Sequence, residues 1–196
     1  LPQLFFIKRR PKPHIPRDWH KPKEGKAYDE LLHREGFITN RFWDADNLEM
    51  SPTIRQDLAD LDEHLLPAFW YFNQKAQHYQ NRFYLYQWIF MTGAFMTTVL
   101  GATTTYLYGV YPDGATVSTL SGVATATMAG FITFFNVLYE QGKPQTRWAN
   151  TRRLTEELRT TYFKYLGHIA PFDTPDRLQL MRQIVIAIRR KENQNG

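Results

Sequence analysis

The chain has 196 residues, with 24 Lys and Arg against 19 Asp and Glu, and no cysteine. That length holds one domain or two small ones, and the lack of cysteine excludes disulfides, thiolate metal sites and cysteine nucleophiles. A mean hydropathy of −0.48 suits a soluble protein, but it averages two charged regions, 1–82 and 140–196, with a stretch at 83–139 whose single charge is Asp113.

Residues 1–26 carry five prolines among Lys and Arg, as in "IKRRPKPHIPRDWHKPK". They read as an extended basic arm that orders only against a partner surface. Internal pairing with the acidic stretch at 27–66, or contact with anionic lipid headgroups, suits this arm better than nucleic acid does, because the basic charge is not gathered on one face. The chain begins with Leu1, so either a longer N-terminus was removed or this is a fragment, and residues 1–7 are too short for a signal peptide. "YDELLHRE" predicts a short helix ended by Gly36, and "FITNRFWDADN" an irregular aromatic loop that docks rather than floats.

Ser51 and Pro52 suit the cap and first position of a long helix over 52–82. Ile54, Leu58, Leu61, Leu65, Ala68, Phe72, Ala76, Tyr79 and Phe83 recur on three- and four-residue steps, a narrow apolar seam. Pro67 should kink this helix or divide it. Asp57, Asp60, Asp62 and Glu63 form an acidic patch, read as a solvated face or a counterpart for the basic arm.

Two uncharged runs follow, 84–110 and 115–139, joined by "YPDG", which suits a type I turn. Each exceeds the roughly 20 residues needed to cross a bilayer. Tyr and Trp crowd the ends of the first, as at membrane interfaces. The pair reads as a transmembrane helical hairpin, the alternative being a buried hairpin in a soluble bundle. Small residues in place of Leu suit helices that associate by close packing in lipid. Gly93, Thr97, Gly101, Thr105 and Gly109 recur every fourth residue on the first helix, and Gly122, Ala126 and Gly130 on the second. A more polar stripe on the second helix runs through Ser118, Gly122, Thr125, Ala129, Thr133 and Asn136. Its hydroxyls either bond back to their own helix or face another helix or water. Neither run holds an ionisable Asp, Glu, Lys, Arg or His, which argues against a proton relay or a charged filter at midplane.

Beyond Gly142 and Pro144, a helix over 145–170 carries the seam Trp148, Thr151, Thr155, Leu158, Tyr162, Tyr165 and Ile169. Arg152–Glu156 and Arg153–Glu157 are spaced to pair along it. Thr174-Pro175-Asp176 then opens a last helix over 175–192, with Leu178, Met181, Val185 and Ile188 on one side. Lys75 and Arg82 before the hairpin, and Lys143, Arg147, Arg152 and Arg153 after it, place both termini on the cytoplasmic or equivalent organellar side.

Chemistry-bearing motifs are missing. The six histidines fall in no HExxH or Glu-x-x-His pattern, and no Walker loop, GxGxxG or GxSxG occurs. No catalytic residue, metal ligand or cofactor is expected, and no enzymatic activity.

"WANTRRLTEEL", with Trp148, Arg152, Glu156 and Leu158 at fixed spacing, is followed by aromatics and "GHIAPF". Together with Tyr71, Lys75, Tyr79 and Arg82 ahead of the two uncharged runs, this resembles the DUF4231 family, a branch of the SLATT two-transmembrane domains. The resemblance covers roughly residues 60–190, and the family's usual Thr-Ala before the Glu is Leu154-Thr155 here. It implies a membrane effector that oligomerises into a pore when a partner senses a signal. The expected architecture is an all-α membrane protein, in which residues 1–50 form the arm and loop. Residues 51–196 would form a two-transmembrane hairpin with long juxtamembrane helices in a cytoplasmic bundle. The favoured role is a structural or accessory subunit in a bacterial or organellar inner membrane, partnered by lipid and by other membrane subunits or copies of itself. The alternatives are a homo-oligomeric pore and a soluble helical scaffold.

Overall fold

A computed structural model describes residues 26–39, 51–110 and 115–195. The basic arm, most of the aromatic loop and the "YPDG" turn lie outside the described residues. Within them the protein is all helical: α1 (Lys26–Arg34), α2 (Pro52–His64), α3 (Leu66–Val110), α4 (Ala115–Gly142), α5 (Pro144–Leu166) and α6 (Arg177–Asn195).

Sequence chemistry explains most helix ends. Gly36, at φ 76°, closes α1, with Gly36 N–H donating to His33 and Phe37 N–H to Leu32. This is a Schellman cap, in which the left-handed residue costs glycine nothing. Ser51 precedes α2, but its hydroxyl makes no capping bond. α2 and α3 part at Leu65, two residues before Pro67, whose ring removes an N–H and crowds the preceding turn. From Leu66 the backbone runs without interruption through the expected boundary near residue 83. α5 ends at Leu166, short of 170, and α6 starts at Arg177 rather than 175, with Asp176 C=O accepting from Leu180 N–H.

The described residues divide into two compact units, one holding Tyr79–Thr146 and the other the residues up to His78 with those from Arg147. The second unit has an aromatic-rich core. α1 contributes Tyr28, Leu31 and Leu32; α2 and α3 contribute Leu58, Leu61, Leu65, Phe69 and Phe72; α5 and α6 contribute Leu158, Tyr162, Tyr165, Met181, Val185 and Ile188. Phe37 sits edge-on to Phe69 and Tyr162 at 4.6 and 4.7 Å between ring centroids. Each such pair adds about 0.5–1.5 kcal/mol beyond area burial. Two large aliphatic members of the expected seams are exposed rather than in the core. Ile54 lies in the first turn of α2 and is 42% exposed, and Ile169 lies beyond the end of α5 and is 57% exposed.

The first unit is arranged the other way round. α3 and α4 meet where Tyr139 stands edge-on to Tyr86 and Phe90, and where Gly93 lies against Ile132. Their large apolar side chains point outward: Leu85, Met91, Phe95, Val99, Leu120, Val123, Phe131 and Phe134 are 42–74% exposed. One helix among the described residues is long and apolar enough to cross a membrane, the stretch from Thr119 with mean hydropathy 1.4, none of it buried. The run in α3, in which Gln87, four tyrosines and six threonines stand among the apolar residues, does not reach that mark. The structure therefore supports one such helix where the sequence suggested two.

Candidate functional site

The small-residue ridges do not face one another. A Cβ built on Gly93 would stand 2.8 Å from Ile132 Cγ1, so only a residue without a side chain permits this approach of α4. At Gly101, Gly109, Gly122 and Gly130 a Cβ would meet nothing within 4 Å. Helix geometry accounts for the change: four residues turn an α-helix by about 40° more than a full turn. A ridge with a strict four-residue step therefore drifts off the contact within two or three repeats. Thr97 stays half-buried one step from Gly93, whereas Thr105 is exposed. On α4 the half-buried positions include Ser121, Thr125, Met128, Ile132, Phe135 and Tyr139, and Gly122, Ala126 and Gly130 lie on a neighbouring, open face.

The hydroxyls of the polar stripe turn back on their own helix. Thr125 donates to Ser121 C=O and Thr133 to Ala129 C=O, each at 2.9 Å. Thr97 and Thr105 do the same to Gly93 and Gly101. This back-bonding uses the donor that a cross-helix contact would need. Asn136 is exposed, and the side chain of Ser118 lies outside the described ones.

In the motif after the hairpin, Leu158 is fully buried, Trp148 is half-buried, and Arg152 pairs with Glu156 on the surface of α5. Glu157 does not take Arg153 as its partner; it accepts from Lys191 of α6 at 2.8 Å.

The most tightly made polar arrangement in the second unit was not expected from the sequence. Asp57, read as part of a solvated acidic face, is 0% exposed. Its Oδ1 accepts from Arg177 Nη2 at 2.6 Å, and its Oδ2 lies 2.8 Å from His168 Nε2. Arg177 Nη1 also meets His168 Nε2. One buried carboxylate thereby joins α2, the loop after α5 and the start of α6. A carboxylate out of water needs such partners. His168 reaches it from a left-handed backbone, φ 51°, as the penultimate link of a Schellman cap: His168 N–H donates to Tyr165 and Ile169 N–H to Lys164. Glycine usually takes that position; here it holds the side chain that touches Asp57.

Tyr165 continues the cluster. Its hydroxyl donates to Asp60 Oδ2 at 3.2 Å, and the Arg177 guanidinium lies 5.4 Å from its ring centroid. Burial, with the nearby Asp60 and Asp57 charges, pushes its phenol up to about 12. Burial likewise raises Tyr162, whose hydroxyl donates to Ile38 C=O. At the far end of α6, Glu192 accepts from Lys75 and from Tyr71, fastening α6 to α3. Tyr71 is raised by burial and by the Glu192 charge.

This arrangement holds helices together and contains no assembled nucleophile, base and oxyanion donors. No group of three or more potential metal-ligating side chains occurs among the described residues. No curated protein and no solved structure matches the chain. A family described as "Protein of unknown function (DUF4231)" does match, over residues 68–179. That span covers nearly all of α3, all of α4, the whole of α5 with Trp148, Arg152, Glu156 and Leu158, and the His168 and Arg177 side of the Asp57–His168–Arg177 cluster, a latch between helices, so the chain belongs to the DUF4231 family.

Proposed function

We propose that this chain is a non-enzymatic integral membrane protein, with the uncharged parts of α3 and α4 as a two-helix transmembrane hairpin and the remaining helices, together with the start of α3, as a packed head. Its role is that of a structural or accessory subunit in a larger membrane assembly. The observation that carries this reading is the outward display of large apolar side chains along α3 and α4, with Phe95 64% and Leu120 74% exposed. A soluble protein would cover such a surface, and a bilayer covers it without further protein. The open faces at Gly101, Gly122 and Gly130 then offer sites where helices of other chains approach closely.

A second reading, a pore of identical SLATT-type copies, draws on the exposed Thr133 and Asn136 of α4. The subunit reading is preferred because the threonine hydroxyls of the stripe are engaged with their own backbone. The test is the mass and composition of the native particle extracted in mild detergent. Foreign chains in fixed ratio support the subunit, and a ring of identical copies supports the pore. Recovery in the soluble fraction without detergent sinks both.

A further inference from the structure

Along α5, residues 153, 156, 157, 160, 161 and 164 line one side of an open cleft of about 570 Å³, closed on the other side by the loop after α5 and by α6. The line from Arg153 to Lys164 spans eleven steps, about 16 Å at the rise of an α-helix, or roughly three helical turns. Pro171, Phe172 and Ile184 supply its apolar lining, beside Thr160 and Thr161. Its charges are unevenly satisfied. Glu156 is held by Arg152, and Glu157 by Lys191. Arg153 and Lys164, one at each end, are exposed and have no ion-pair partner among the described residues. A groove with apolar side chains in its lining and an unpaired cation at each end of its α5 side is complementary to an amphipathic segment carrying acid at both ends.

Resting on the subunit reading above, we infer that this groove docks an acidic amphipathic peptide segment of a partner protein. Arg153 and Lys164 engage carboxylates of the first and last turns, and Phe172 and Ile184 receive the apolar face. The shape favours a peptide over a small molecule, because the cleft is open along its length rather than closed around one ligand.

The test is fluorescence anisotropy of the full chain in neutral detergent with a labelled peptide of about three helical turns. The peptide has Glu in its outer turns and Leu on one face. The expected result is saturable binding that weakens at least ten-fold in Arg153→Glu/Lys164→Glu and on raising salt. A peptide with Lys in place of Glu should prefer the double variant. Both residues are exposed, and a neutral pair, Arg153→Gln/Lys164→Gln, gives the same comparison if charge reversal unfolds the head. Equal binding by wild type and variants overturns the inference. So does displacement of the peptide by phosphatidylserine vesicles but not phosphatidylcholine vesicles, which assigns the groove to a lipid surface. The two proposals fail separately. A native particle of identical copies sinks the subunit reading, whereas foreign chains retained by the double variant sink the groove alone.

Discussion

The two units of this chain place their large apolar side chains on opposite sides. In the head, Phe69, Phe72, Leu158 and Tyr162 are fully buried. In the α3–α4 pair, Phe95, Leu120 and Phe134 are more than half exposed, while Gly93 is a buried contact position. Burial of apolar area accounts for the first arrangement. In the second, the contact is made of a glycine against Ile132 and a few aromatics, and most of the large apolar side chains lie outside it.

Substitutions can break this contrast on either side, and the largest effect should come from the latch. Asp57→Ala leaves Arg177 and His168 facing an empty, desolvated position, and should cost about 3–5 kcal/mol. Thermal unfolding of the detergent-solubilised chain measures it, and an unchanged midpoint would show that the carboxylate is not needed. Leu158→Ala, in the fully buried core, should cost about 2–5 kcal/mol in the same assay.

The glycines sharpen the comparison. Gly93→Leu should destabilise the α3–α4 pair by about 1–3 kcal/mol, since Ile132 must move. Gly122→Leu and Gly130→Leu meet open space within the chain, so they should leave its own fold intact and reduce only the mass of the native particle. Cross-linking of cysteines introduced across α3 and α4 separates these outcomes. Loss of the intrachain cross-link in the Gly122 or Gly130 variant would contradict the open-face arrangement.

Alkaline pH should act on the head through Tyr165. The folded state holds the Tyr165 proton to about 12, against an ordinary value of 10.0. Its contribution is complete below pH 10 and is lost as pH rises from 10 towards 12, on the order of 1 kcal/mol by pH 11. Tyr165→Phe should flatten part of the fall in melting temperature between pH 9 and pH 11. The smallest effect is expected at the family-motif surface pair, where Arg152→Ala should change stability by no more than about 0.5 kcal/mol.

Much of the helical layout was legible, because periodic apolar positions and Pro67 act locally. The seam from Leu58 to Phe72 and the buried line Leu158, Tyr162 and Tyr165 follow from spacing alone. The latch was not legible, because Asp57 lies 111 and 120 positions from His168 and Arg177 and no local rule joins it to them. One signal was present: Asp57 precedes Leu61 and Leu65 by four and eight residues, which puts an acid on the apolar face rather than the wet one. The glycine ridge was visible as a pattern but its reach was not. Counting fourth residues finds a stripe without showing how soon the stripe rotates away from its neighbour.

The latch also orders events during synthesis. Asp57 and Arg177 are separated by 120 positions, and the whole of α3 and α4 emerges between them. The head therefore cannot close until the ribosome has passed the second uncharged run and made α5 and the start of α6. Until then Leu61, Phe69 and Phe72 lack the helices that cover them, and a nascent chain stalled before Arg147 presents bare apolar surface to whatever guards the exit tunnel. Completion of the head is thus a report that the hairpin has already been made.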